Sequence, residues 1–198
     1  STPLYSSAAS DVYKRQLVIC AVSAVLVLGV LDGLLLSVGI SILLLLRQMS
    51  AADIQILGQL GSGHDFVDFS RHPQARQVPG VLILRPGEAL FFANAERILG
   101  GALRLIRHVQ APIHSIILSL EESPDLDGTS IEALDEFFRQ VSLEHKHLAL
   151  ARLKHEAKDA LALLPSSREY QVLLSGTSVD DTLQESLRGW KAGAFSQA

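Results

Sequence analysis

Residues Leu17 to Leu46 form an almost unbroken apolar run, and everything after Arg47 mixes apolar and polar positions in the manner of a water-soluble α/β domain. Twenty of those thirty positions are Leu, Ile or Val. Each contributes roughly −0.3 to −0.6 kcal/mol to membrane insertion, against about +3 kcal/mol for the single charge, Asp32. The run is therefore predicted to enter a membrane. A straight helix crosses the hydrocarbon core in about 20 residues, so thirty residues are too many for one untilted span and too few for two. Two short helices over 17–47 are expected, with the break at Asp32-Gly33, because Gly weakens a helix interior and the carboxylate prefers water or a partner. Asp32 then has two readings, a carboxylate capping the break or an ion- or proton-linked intramembrane residue. Gly29, Ser37, Gly39 and Ser41 would let neighbouring helices approach closely. Arg47 places the end of the run on the cytoplasmic side.

Residues 48–77 show neither a helical nor a strand period and read as a linker. From Val78 the pattern becomes regular, and residues 78–198 read as one domain. Val81–Leu84 and Ala89–Phe92 are short apolar runs around Arg85-Pro86-Gly87-Glu88, which suits a type II turn and a β-hairpin. In that hairpin the rings of Phe91-Phe92 have two readings, one ring in the core and the other on an adjoining surface, or both packed in the core, of which the second is expected. Asn94 stands at a helix N-cap position, with Ile98, Leu99, Ala102, Leu105, Ile106 and Val109 following at helical spacing until Pro112. Ser115–Leu120 reads as a central strand buried on both faces. A polar loop follows, then a helix with Ile131, Leu134, Phe137, Phe138 and Val141 on one stripe. Leu148–Leu153 reads as a strand, Lys154–Leu164 as a helix ended by Pro165, and Gln171–Leu174 as a strand. The last helix starts after Ser178, with Asp181 completing an approximate capping box, and carries Val179, Leu183, Leu187 and Trp190 on its stripe. Alternating strands and helices behind a hairpin imply an α/β domain with a mixed β-sheet covered by α-helices, able to fold apart from the stem.

The chain has 198 residues, a net charge of −4 and a pI near 5.9. That balance gives no electrostatic support for binding nucleic acid. Cys20 is the only cysteine, so no disulfide can form within the chain. The chain begins at Ser1 and its only methionine is Met49, which reads as a fragment. Asp11-Val12-Tyr13-Lys14-Arg15-Gln16 resembles the translation of a transposon end used in preparing sequencing libraries, so residues 1–16 read as a non-native junction or a disordered lead-in. A signal peptide is excluded by the apolar run continuing past Asp32-Gly33.

Candidate chemistry is sparse. Thr129-Ser130-Ile131-Glu132 reads as a capping box. His145, His147 and His155 have no cysteine nearby and are expected to have no carboxylate partner at i, i+4 spacing, so they read as surface histidines. No glycine-rich phosphate loop follows a strand, and no catalytic triad is evident. No enzyme, cofactor or metal site is expected.

Val78-Pro79-Gly80-Val81-Leu82-Ile83-Leu84-Arg85, followed by Leu90-Phe91-Phe92-Ala93-Asn94-Ala95-Glu96, resembles the opening of the STAS domain of sulfate permease (SulP-type) anion transporters. Ser115–Leu120 with Asp127-Gly128-Thr129-Ser130-Ile131-Glu132-Ala133-Leu134 resembles that domain's central strand and following loop and helix. The apolar stem resembles the last two short membrane helices of the same transporters. The resemblance implies the C-terminal part of a multi-pass inner-membrane protein carrying an inorganic anion such as sulfate or bicarbonate, coupled to protons or sodium. Its anion-binding helices would lie upstream of this sequence. It further implies a cytoplasmic STAS domain serving regulation, trafficking or dimerisation, a homodimer in the bilayer, and a cytoplasmic regulatory protein as partner. Thr129, two residues after Asp127, matches the phosphoacceptor of related anti-sigma-factor antagonists. Two departures weaken a switch at this loop: Ser119 stands where the family often has an acid, and Ser130 where it usually has glycine. A membrane-tethered STAS signalling module without transport is the alternative.

Overall fold

The computed structural model describes the backbone of residues 30–194 apart from 51, 52, 62 and 110, and side chains over the same span except 46–50 and 189–194. The chain divides into two units, the first ending at Ser50 and the second beginning at Ala51.

In the first unit, helix α1 runs Val30–Ser50, with Asp32 in its first turn. Its described face is apolar and open: Leu31, Leu34, Leu35, Val38, Ile42 and Leu43 are all at least half exposed. The helix passes through Gly33 without a break, so Asp32-Gly33 is not itself an interruption in the described backbone. The expected first half of the stem, and the junction at 1–16, lie outside the described residues. Among the described residues no helix is long and apolar enough to cross a membrane.

The second unit is built on a six-stranded sheet in the order β2-β1-β3-β4-β5-β6. The strands are β1 (Ile54–Gln59), β2 (Phe66–Asp68), β3 (Val81–Pro86), β4 (Ser115–Ser119), β5 (His147–Ala151) and β6 (Leu173–Leu174). β2, β1 and β3 pair antiparallel, while β3 through β6 run parallel, so the sheet is mixed as expected. Between the strands and after them lie α2 (Ala95–His108), α3 (Gly128–Leu143), α4 (His155–Ala162), α5 (Pro165–Glu169) and α6 (Val179–Ala194).

The period of two along the central strands divides the core into two layers. Leu82, Leu84, Ile116, Leu118, Leu148 and Leu150 face α2, α3 and α4, where Ile98, Leu99, Leu134, Phe137, Phe138 and Leu161 meet them. Val81, Ile83, Ile117, Ala149 and Ala151 face the other way and pack under Val179, Leu183 and Leu187 of α6. A strand covered on both faces has no polar alternation, which is why Ile116-Ile117-Leu118 is an unbroken apolar run and Ser115–Ser119 is buried at every position.

Two expectations require correction. The linker reading of 48–77 fails because β1 and β2 lie within it: Ile54, Gln55, Ile56 and Leu57 pair with Pro86, Arg85, Leu84 and Ile83. Leu57 is 3% exposed and belongs to the core. The hairpin at Val81–Phe92 fails for the same reason. β1 takes the antiparallel edge of β3 that Ala89–Phe92 was expected to occupy, and Gly87 N–H donates to Asp53 O at 2.9 Å. Residues 89–94 instead close on themselves. Asn94, 2% exposed, accepts from Phe91 N–H and donates from Nδ2 to Ala89 O, each at 2.9 Å. Pro165 does end one helix, and it also occupies the first turn of the short α5.

Candidate functional site

The loop between β4 and α3 is where the sequence concentrates candidate chemistry, and backbone geometry fixes it at both ends. Leu120 N–H donates to Ala151 O at 3.0 Å as the chain leaves β4, and Ser123 N–H turns back to Leu120 O at 3.0 Å. The Ser123 hydroxyl, itself buried, accepts from Leu90 N–H at 2.9 Å. Asp127 closes the loop with both carboxylate oxygens: Oδ1 accepts from Ser130 N–H at 2.8 Å and Oδ2 from Phe92 N–H at 2.7 Å. Two loops that follow different strands are thereby held as one surface.

Asp127 is the N-cap of α3, with extended backbone (φ −77°, ψ 168°) and its side chain on the amide of the third helical residue. The capping box placed on Thr129 is displaced by two residues. Asp127, Thr129 and Ser130 can all cap a helix, and Asp127 does so because its second oxygen also satisfies Phe92. Thr129 sits one residue inside the first turn and is exposed, while Ser130 is fully buried. Burial pushes the Asp127 carboxyl up, but hydrogen bonding from Ser130 and from Phe92 N–H outweighs it and holds the group below its ordinary value.

The structure thus brings Asp127, Thr129 and Ser130 together in one helical turn. The amide that follows Thr129, Ser130 N–H, holds the Asp127 carboxylate. Asp32 belongs to the other unit. The rings of Phe91 and Phe92, expected on a strand, lie in the turn before α2 with centroids 5.5 Å apart, edge to face. Phe92 is 64% exposed. Against expectation, His155 has a carboxylate at i, i+4 spacing and pairs with Asp159 at 3.6 Å on the exposed face of α4.

Sequence reading missed three features. Ser119 and Ser130, the two departures from the family pattern, carry buried hydroxyls without a hydrogen-bond partner among the described residues. The turn-forming role of Asn94 was masked by its fitness as a cap. His64 and Asp180 lie 2.6 Å apart across 116 residues, a juxtaposition that only the fold creates.

A family model described as STAS domain matches residues 72–185. The chain is 32% identical over 148 residues to a probable sulfate transporter of Mycobacterium tuberculosis, covering 75% of this chain and 26% of that protein. It is 31% identical over 128 residues to the high affinity sulfate transporter 1 of Stylosanthes hamata, covering 60% and 19%. The chain thus spans about a quarter of the first of these relatives or less. Among solved structures it is similar in fold to the murine solute carrier 26 family member A9 anion transporter in the inward-facing state. That match has a TM-score of 0.73 and 18% identity, covering 91% of this chain and 30% of the transporter.

Proposed function

The chain belongs to the STAS domain family, and from that premise we propose that it is the C-terminal part of an inorganic-anion transporter of the sulfate permease type. The observation that carries this reading is the 148-residue match to a probable sulfate transporter, which is longer than the STAS match itself. Sulfate, or another small inorganic anion such as bicarbonate, is the proposed substrate, moved by secondary-active coupling to protons or sodium. The residues that would hold it belong to the part of the relatives that this chain does not span. In this reading the second unit is a cytoplasmic domain that regulates or traffics the transporter, pairs two copies of it and meets a cytoplasmic protein partner.

Helix α1 is proposed as membrane scaffold. Its apolar side chains are exposed on more than one side, which is favourable only among lipid tails or other apolar helices. No catalytic group is proposed. The exposed Thr129 is proposed as a surface position of the first turn, and Asp127 as the cap that supports it.

Uptake of labelled sulfate tests the reading. Cells lacking their own sulfate uptake and expressing a longer protein that contains this chain should accumulate label. A protein that reaches the membrane but moves neither sulfate nor bicarbonate would overturn transport and leave the tethered signalling module.

A further inference from the structure

The loop joining β1 to β2 reaches a helix far along the chain: His64 Nδ1 lies 2.6 Å from Asp180 Oδ2. Exposure is unequal across this contact, because the imidazole is 85% exposed and the carboxylate 11%. A carboxylate so withdrawn from water needs a donor, and His64 supplies one while its ring exchanges protons freely with solvent. The loop is braced to present that ring. Leu60 N–H donates to Asp65 O at 2.9 Å, Gly63 N–H to Leu60 O at 3.3 Å and Gln59 Nε2 to Gly63 O at 2.9 Å. The charged groups that face His64 are Asp65 from the loop and Asp180 and Asp181 from the first turn of α6, all of them acidic.

We propose that His64 and Asp180 form a proton-sensitive latch fastening the β1–β2 hairpin to the first turn of α6, tight when the imidazole is protonated and slack when it is neutral. The protonated ring makes a charge-assisted hydrogen bond, roughly twice as strong as the bond from a neutral ring. The hydrogen bond to Asp180 and then its charge raise the His64 pKa above the ordinary 6.5; desolvation opposes them, and Asp181 and Asp65 add smaller upward pushes. A raised histidine pKa gives stabilisation that is complete below the unfolded value and fades as pH rises through the folded one. The latch therefore slackens in the neutral to mildly alkaline range. It would set how firmly the β1–β2 edge of the sheet is held to α6.

The test uses the full chain in detergent micelles, with two readouts. Proton NMR should place the His64 ring titration above 6.5, and Asp180→Asn should bring it back toward that value. Hydrogen exchange of the peptide covering 54–68, normalised to an unstructured reference at each pH, should show protection falling several-fold between about pH 6 and about pH 8.5. His64→Gln should give low protection with a flat profile, and because the ring it removes is exposed it leaves the core intact even if Asp180→Asn fails to fold. A flat wild-type profile, or a His64→Gln profile that keeps the wild-type slope, would overturn the latch.

Discussion

Asp127 uses its two carboxylate oxygens on different elements, one on the first turn of α3 and one on the loop after β3, so its loss should be felt twice. Replacing an N-cap with Ala costs about 0.5 to 2 kcal/mol, and Asp127→Ala is expected in the upper half of that range. Thr129→Ala, at an exposed position with no cap to lose, should stay within about 0.5 kcal/mol. Urea unfolding of the two variants separates the cap from its neighbour. Asn also caps well, so Asp127→Asn should hold most of the stability at neutral pH while changing its acid limb. The carboxyl is held below its ordinary value, so its contribution is present above the unfolded pKa and fades as pH falls through the lowered one. Wild type should lose stability more steeply than Asp127→Asn below about pH 4. Ser119 and Ser130 give the opposite expectation. Each buries a hydroxyl with no hydrogen-bond partner among the described residues, a condition that costs about 1 to 3 kcal/mol when unrelieved. Ser119→Ala and Ser130→Ala should therefore be neutral or raise the unfolding midpoint. Sequence reading found this turn but misjudged its cap, because Asp127, Thr129 and Ser130 are all competent and only Phe92, thirty-five residues earlier, decides among them.

The parallel half of the sheet and its helices were legible as elements, because burial on both faces leaves continuous apolar strands and the helices keep a stripe of period 3.6. The antiparallel edge was not. Ile54-Gln55-Ile56-Leu57 does alternate at its start, but Gly58 and the polar residues after it disguised the strand as linker. Gly58 is there for space: a Cβ would stand 3.1 Å from the Ala75 side chain and 3.2 Å from both Arg76 O and the Phe69 ring. The glycine that obscured β1 is thus what lets residues 69–76 cross it, where Gln59 and Arg76 exchange backbone hydrogen bonds at 2.8 and 2.9 Å. Removing this edge should matter more than the linker reading allows. A chain beginning at Val78 would expose the pairing edge of β3 and lose Leu57 from the core, which favours edge-to-edge association. A chain beginning at Ala51 should unfold in one cooperative transition, whereas one beginning at Val78 should aggregate or unfold without a clear transition. Equal cooperativity in the two by circular dichroism would return β1 and β2 to the status of dispensable linker.

For the whole molecule, the two units make opposite demands on solvent: the second hides its apolar residues within a sheet and helices, and α1 leaves its own exposed. Exposed apolar patches of that size are rarely left to water. The full chain should therefore sediment with membranes and resist alkaline extraction, while the chain from Ala51 stays in the soluble fraction. Release of the full chain at high pH would separate α1 from the bilayer and remove the scaffold from the transport reading. Asp32 is where that scaffold touches mechanism. It lies near the start of the described part of α1, and a structural role without coupling is expected for it. In the longer protein of the transport reading, Asp32→Asn would keep a polar side chain of the same shape but could no longer carry an ionisable proton. Uptake by the Asp32→Asn protein is expected to match wild type in rate and in pH dependence. Normal insertion with lost or pH-insensitive uptake would instead make Asp32 a member of the coupling path, because the substitution keeps the side chain's shape and removes only its charge.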